Sequence, residues 1–268
     1  MFEQLFTVHW IEQKPWFAFI LGFCYSVFGV FSAFIVFPEN VGMMSIAFTS
    51  MLIIPSLNNL LSIEENKEIR EKKLSMKLLF KDHKDMFEIY VFLFLGMLLT
   101  YSVIALILPD FTVKNMFASQ LSPFYGGNAY AFGTFLSILQ NNFVVLCICL
   151  LLSLAYGAGS ILFLTWNASV WGSIFGFVAK QSANVLGQNP FQYFALTIIK
   201  VFPHMIMEAS SYFFAVIAGG VISKAIIREK ANDEKFKHVF TDGIIFFCIA
   251  LILLLIAAWL EVYLFPKF

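Results

Sequence analysis

The sequence predicts an all-α membrane protein, a polytopic bundle of about seven transmembrane helices, and two observations lead to this fold class. First, 60% of the 268 residues are hydrophobic and 13% are charged, whereas a soluble domain is closer to half apolar and a quarter charged. Second, the apolar residues form runs of about 20 residues, the length that a helix needs to cross the hydrocarbon core. We therefore expect an integral membrane protein with little room for a soluble domain.

Seven apolar runs are candidate spans. They are Trp16–Phe37, Met43–Leu61, Met86–Leu108, Asn142–Leu164, Ala168–Leu186, Pro203–Ile226 and Gly243–Phe265. Pro55 and the pair Asn58-Asn59 interrupt the second run, and Lys180 lies within the fifth. The main alternative is therefore a six-span protein that lacks the fifth run.

Basic residues indicate which loops are cytoplasmic. The loop Ser62–Asp85 contains seven lysines and arginines, and the segment Lys224–His238 contains five, out of seventeen in the chain. If both lie in the cytoplasm, an even number of spans separates them, and spans three to six meet this condition. We expect a cytoplasmic N-terminus and an external C-terminus. Glu3 and Glu12 stand where a signal peptide would be basic, so we expect no cleaved leader.

The chain divides into two predicted parts. Residues 1–85 contain two N-terminal spans and the basic cytoplasmic loop, and residues 86–268 contain a five-span core. Seventeen basic and seventeen acidic residues cancel, which argues against a nucleic-acid partner. The four cysteines lie inside apolar runs, where buried, inert thiols are expected. These patterns predict no metal site and no cofactor.

Small residues at regular spacing predict where the helices pack most closely, because lipid tails are as apolar as leucine and small residues let helix backbones approach. The predicted packing positions are Gly157 and Gly159 in span four, Gly172 and Gly176 in span five, and Ser211, Ala215 and Gly219 in span six. We expect spans four to six to form a close-packed core.

Ionisable residues at the start of span six are the most unusual feature. Pro203 is expected to be its first helical residue, where a missing N–H costs nothing, and Gly187–Phe202 is read as a separate helix, in the outer interface or buried among the spans. Glu208, one turn after His204, should face the bundle because it neighbours the small residues. A rise of about 7–8 Å from Pro203 places Glu208 near the outer boundary of the hydrocarbon.

Other polar residues are predicted to reach the same layer. Asn141 and Asn142 open span four from the outside, and Lys180 lies towards the outer end of span five. An ion pair between Lys180 and Glu208 would remove the cost of two isolated charges. We call Asn141, Asn142, Lys180, His204 and Glu208 the polar junction, a candidate site for a partner or a ligand. The alternative is that these groups only cap and pin helices.

The order of these residues resembles the stage II sporulation protein M family. The matching positions are Asn141-Asn142, Gly157 and Gly159, Asn167 with Gly172, Pro203-His204 with Glu208, and the following "AVIAGG". The resemblance covers Met86–Phe265. Met205 and Ala168 stand where the family usually has glycine, which indicates a divergent member, with an archaeal source as one reading.

This resemblance implies a scaffold and not an enzyme. In spore-forming bacteria the family member works with two membrane-anchored partners that degrade septal peptidoglycan, and the hydrolytic activity belongs to those partners. The expected location is the plasma membrane of a prokaryote. The expected contacts are the lipid bilayer and either other membrane proteins or further copies of this chain.

Three function classes follow from the sequence. A membrane scaffold fits the absence of any catalytic motif such as HExxH, GxSxG or a P-loop. A transporter or channel component is the alternative, because ionisable residues within spans often line polar pathways. A membrane enzyme that uses His204 and Glu208 as acid and base is the third, and neither a nucleophile nor a metal set accompanies them.

Overall fold

The computed structural model describes residues 14–67, 76–125, 135–228 and 234–264, and these residues form helices without strands. The helices are α1 (Phe17–Val36), α2 (Val41–Lys67), α3 (Met76–Ile107), α4 (Asp110–Met116), α5 (Ala118–Tyr125), α6 (Phe135–Tyr156), α7 (Ile161–Leu186), α8 (Pro190–Arg228) and α9 (Glu234–Leu264), with a 3₁₀ turn at Gly157–Ser160 between α6 and α7. The predicted all-α fold is confirmed.

Six helical segments among the described residues are apolar and long enough to cross a membrane. One of them, Phe135–Leu186, contains 52 residues and consists of α6, the 3₁₀ turn and α7. A straight helix of that length would measure about 78 Å, more than twice the hydrocarbon thickness of about 30 Å. The relative directions of the helices therefore decide how this segment crosses.

Helices α1 and α3 run in the same direction. The hydroxyl of Ser26 lies 2.7 Å from that of Thr100, and one turn earlier Gly22 packs directly on the backbone of Leu93. The contacts advance together along both helices. Because glycine has no Cβ, the two backbones approach closely at this crossing.

Helix α7 also runs parallel to α3. Gly172 packs on Leu98 and Tyr101, and Gly176, one turn later, packs on Ser102 and on Ala105. The chain leaves α3 at the end where α7 finishes, so it must return along the bundle before α7 begins. Helix α6 lies between α3 and α7 in the chain and is about 33 Å long. Among the described helices between α3 and α7, α6 is the one that is long enough to make that return.

The chain thus reverses at the 3₁₀ turn, where Gly157 adopts a left-handed φ of 55°. This path is the one expected for seven spans, with α6 as the fourth and α7 as the fifth; the span count itself stays a prediction. The predicted range Asn142–Leu164 for the fourth span is wrong, because it runs across the reversal. Hydropathy does not place the break, since apolar residues continue on both sides of it.

Two prolines lie inside helices, contrary to the prediction. Pro203 lies within α8 and is not its first residue, so Gly187–Phe202 does not form a separate helix. Pro55 lies within α2, which continues through the predicted interruption. Each proline removes one backbone hydrogen bond. Membrane helices tolerate this loss because neighbouring groups can satisfy the freed carbonyl.

A short strap, defined as α4 and α5 (Asp110–Tyr125), follows α3. It packs on α2, α3 and α7 at the outer end of the bundle, meaning the end predicted to lie outside the cell. A small apolar core lies beneath it, separate from the main core. Its buried members are Val30, Ala33, Val41, Tyr101, Ala105, Val113, Phe117, Leu121 and Phe177.

Candidate functional site

Glu208 is buried near the middle of α8, and its side chain is 7% exposed. Its Oε1 accepts a hydrogen bond of 2.8 Å from the hydroxyl of Tyr212, one turn later on the same helix. Ser211 donates to the backbone carbonyl of Glu208 at 2.7 Å. The carboxyl group therefore faces the bundle, as predicted from its spacing to the small residues, and is held by its own helix.

A second carboxyl group, that of Glu261 on α9, lies close enough to Glu208 to interact electrostatically. Helices α8 and α9 form an antiparallel pair, in which the rings of Phe214 and Phe246 lie 5.8 Å apart and Gly243 packs on Ile222. Within the described residues, Glu208 makes no ion pair. The hairpin of α8 and α9 thus carries two neighbouring acidic side chains.

Of the other members of the polar junction, His204 lies close to Glu208 along α8, whereas Asn141 and Asn142 lie on α6. His204 lies one turn before Glu208 and is half-buried. Asn142 is buried and Asn141 is exposed, and the Nδ2 of Asn141 lies 3.3 Å from the Oδ1 of Asn142, to which it donates. Within the described part of the chain, neither asparagine is hydrogen-bonded to Glu208.

Lys180 is engaged elsewhere, and the predicted ion pair with Glu208 is wrong. Its Nζ lies 2.7 Å from Oδ1 of Asp110 on the strap and also donates to the backbone carbonyl of Leu108. Gln181 donates to the other carboxylate oxygen of Asp110 at 3.2 Å. The physical reason is position: α7 ends beside the end of α3, whose last carbonyls have no partner within the helix.

The polar junction therefore does not form one cluster, and Asn141 and Asn142 lie on α6, apart from the other members. Lys180 belongs to a helix-end contact with the strap, whereas His204 and Glu208 belong to the interior of α8. Sequence reasoning missed Glu261 as a neighbour and Asp110 as the lysine's partner. Both could have been found, because Glu261 is an acidic residue within the last span and Asp110 directly follows Pro109 at the end of the third.

The predicted packing glycines also separate. Gly219 meets α6, where a Cβ would lie 2.6 Å from the carbonyl oxygen of Leu150, while Gly172 and Gly176 meet α3 and not α8. Gly157 and Gly159 lie in the 3₁₀ turn, so their assignment to helix packing is wrong.

Two further positions predicted to pack are buried on α8. Ser211 and Ala215 are each fully enclosed. Helices α6 and α8 do pack together, since the hydroxyl of Ser153 donates to the carbonyl of Val216 at 2.6 Å. The close contact expected among spans four to six therefore exists between α6 and α8, and α7 directs its glycines to α3.

The site offers the carboxyl group of Glu208, the phenol of Tyr212 and the imidazole of His204. Among the described residues, no three histidine, cysteine, aspartate or glutamate side chains come together as a possible metal site. The arrangement can hold a proton, a hydrogen-bonding group or a neighbouring helix at Glu208.

The chain matches the family profile described as "Stage II sporulation protein M" over residues 89–266, which are 178 of its 268 residues. The matched region begins within α3 and includes α4 to α9, and helices α1 and α2 precede it. Comparisons with curated proteins and with solved structures gave no match. The chain belongs to the stage II sporulation protein M family, and it is a multi-helix membrane protein.

Proposed function

We propose that this protein is a membrane scaffold that positions partner proteins in the plasma membrane of a prokaryote. The observation that supports this function is direct backbone contact between helices. A Cβ placed on Gly172, Gly176 or Gly219 would lie 2.5 to 2.7 Å from a backbone oxygen of the neighbouring helix. Such contacts leave little freedom for the helices to slide, because any separation would lose close van der Waals packing.

The distribution of polar side chains also favours a scaffold over a transporter. A pathway through the membrane needs polar groups that follow one another across it. Lys180 is bound to Asp110 and Leu108 at the outer end, and Glu208 is bound to Tyr212 within α8. Each group is satisfied locally, and the predicted link between Lys180 and Glu208 is absent. In this proposal the protein has no catalytic activity of its own.

The scaffold proposal is tested by the composition of the native assembly. The full chain would be extracted from its own cells in lipid nanodiscs, and the mass of the intact particle would be measured. We expect a constant ratio of this chain to a second membrane protein, or to further copies of itself. A particle that contains one copy of this chain and lipid alone would contradict the proposal.

A matched pair of variants separates assembly from expression. Gly219→Leu should push α8 away from α6 and reduce the amount of partner recovered, whereas Gly220→Ala should not, because a Cβ on Gly220 meets only the hydroxyl of Ser153 at 3.6 Å. Recovery is compared at equal amounts of the two variants in the membrane. Equal partner recovery with both would show that the rigid contact of α6 with α8 has no role in assembly.

A transport function has one observation in its favour, the proximity of Glu208 and Glu261. Two carboxyl groups in a membrane interior can exchange a proton with a pathway. The scaffold proposal predicts that purified protein in liposomes carries no proton flux above that of empty liposomes. A flux that Glu208→Gln abolishes, while Glu88→Gln on the partly exposed surface of α3 leaves it unchanged, would replace the scaffold with a transporter.

A further inference from the structure

Four buried polar side chains on the helices around the strap, those of Thr49, Ser50, Gln120 and Ser173, have a polar atom that makes no hydrogen bond within the described residues. Gln120 on α5, Ser50 on α2 and Ser173 on α7 are each 0 to 1% exposed. The side-chain polar atoms of all three make no hydrogen bond within the described part of the chain. Serine in a helix usually donates to its own backbone one turn earlier. Within the described residues, the hydroxyls of Ser50 and Ser173 make no such bond, although both are buried.

The three residues lie on α2, α5 and α7, which are helices that pack against one another. Gln120 lies over the first turn of α2: its side-chain amide and the carbonyl of Met116 both occupy the space where Gly42 would carry a Cβ. The first N–H groups of a helix have no partner within the helix. The amide of Gln120 therefore lies beside further donors that need acceptors.

Contacts with α3 show how the three residues are spread along the bundle. The hydroxyl of Ser45 donates to the carbonyl of Gly42 at 2.8 Å and lies 3.1 Å from the hydroxyl of Tyr101. Tyr101 in turn packs against Gly172, which precedes Ser173. Gln120 is therefore level with the start of α2, Ser173 is slightly deeper, and Ser50 is deeper again, about 12 Å from Gly42 along the helix axis.

The chemistry of these groups identifies the kind of molecule that fits. Hydroxyl and amide groups both donate and accept hydrogen bonds, and none of the three carries a charge. A buried water molecule makes about three hydrogen bonds to polar groups that otherwise have none. The separation along the bundle is too long for one molecule to connect all three groups. We propose that a short file of water molecules binds between α2, α5 and α7, beneath the strap, and is hydrogen-bonded by Gln120, Ser173 and Ser50.

Apolar replacements of similar size test this proposal, because hydrated and dry sites respond with opposite signs. Removing a buried polar group that lacks a partner stabilises a protein, whereas removing one that is hydrogen-bonded to bound water destabilises it. We expect Gln120→Met and Ser173→Ala each to lower the melting temperature in nanodiscs by about 2–4 °C. An unchanged or raised melting temperature in both variants would overturn the proposal.

Ser26→Ala is the control for the change in melting temperature that Ser173→Ala causes. The hydroxyl of Ser26 is already satisfied, since it donates to the carbonyl of Gly22 at 2.7 Å, so its loss should lower the melting temperature whether or not the strap covers water. If Ser173→Ala has the same sign as Ser26→Ala, the hydroxyl of Ser173 has a hydrogen-bonding partner. If the signs differ, the sector is dry.

Solid-state NMR identifies the bound molecule directly. In protein labelled with ¹⁵N-glutamine and reconstituted in lipid, the side-chain NH₂ signal that disappears in Gln120→Met should show magnetisation transfer from water. Absence of transfer at this signal would overturn the proposal. A melting temperature that rises with Na⁺ or K⁺, but not with choline, would assign the site to a cation and overturn it as well.

Discussion

Lys180 on α7 and Asp110 on the strap form an ion pair, with 2.7 Å between Nζ and Oδ1. The same ammonium group donates to the carbonyl of Leu108, just beyond the end of α3. One lysine therefore joins the end of α7, the end of α3 and the start of the strap. A charged residue in an apolar run, which looks like part of a ligand site in the sequence, serves here to close a helix end.

We predict that Lys180→Met destabilises the protein by about 2 kcal/mol, because it leaves the carbonyl of Leu108 and the carboxylate of Asp110 without this partner. The cost should be below that of a fully buried pair, since Asp110 is 40% exposed. The free energy of unfolding would be measured by steric trapping in lipid. Lys84→Met is the control, because its pair with Glu88 lies on the surface and should contribute less than about 1 kcal/mol. Equal costs would contradict the role given to Lys180.

The hydrogen bond between Tyr212 and Glu208 gives a second prediction. Tyr212→Phe should cost about 1–3 kcal/mol, because it removes the donor to a buried carboxyl oxygen, while Tyr263→Phe, at a position 66% exposed, should be close to neutral. Glu208→Gln keeps an acceptor oxygen and should cost less than Glu208→Ala. A double-mutant cycle between positions 208 and 212 measures the coupling. Additive effects would mean that the bond contributes nothing.

Neighbouring glycines on α8 should respond with opposite signs to the same substitution. Alanine is favoured over glycine in a helix by about 1 kcal/mol, so Gly220→Ala should be neutral or stabilising. Gly219→Ala should destabilise by about 1–3 kcal/mol, because its Cβ would lie 2.8 Å from the Cβ of Ser153 and 2.6 Å from a backbone oxygen. Thermal melting of both variants in one detergent makes the comparison. A stabilised Gly219→Ala would contradict the close packing of α6 and α8.

Labelling of single cysteines tests the reversal at Gly157–Ser160. In a background without native cysteines, Tyr156→Cys and Gln188→Cys place thiols at exposed positions, one before α7 begins and one after it ends. The seven-span prediction expects an impermeant maleimide added outside the cell to label position 188 and not position 156. If both positions are labelled from the same side, α7 does not cross the membrane. This result would favour the six-span alternative, in which the orientation assigned to one part of the chain is reversed.

Much of the fold could be predicted from the amino-acid sequence because it depends on solvation. A run of about 20 apolar residues is stable only in lipid or in a core, so the helical membrane class follows from composition and run length. The orientation of Glu208 towards the bundle could also be predicted, since its spacing from Ser211 places both on one helix face. The order of Asn141-Asn142, Pro203-His204 and Glu208 was enough to indicate the family.

The sequence does not reveal where helices continue through a proline or stop within an apolar run. Pro203 and Pro55 look like boundaries in one dimension, yet packing on neighbouring helices outweighs the single hydrogen bond that each removes. The break at Gly157–Ser160 has no hydropathy signal. It depends on where α6 meets α8 and α7 meets α3, which are contacts between residues far apart in the chain.

The sequence by itself determined that this chain is helical, lies in a membrane, belongs to its family and directs Glu208 inward, because periodicity and apolarity act locally on each helix. Only the tertiary structure decided which residue each polar side chain and each packing glycine contacts. It paired Lys180 with Asp110 and Glu208 with Tyr212, and it set Gly219 on α6 and Gly172 on α3. The physical reason is that a side chain's partner depends on which helix ends coincide in space, and spacing along one helix carries no information about its neighbour.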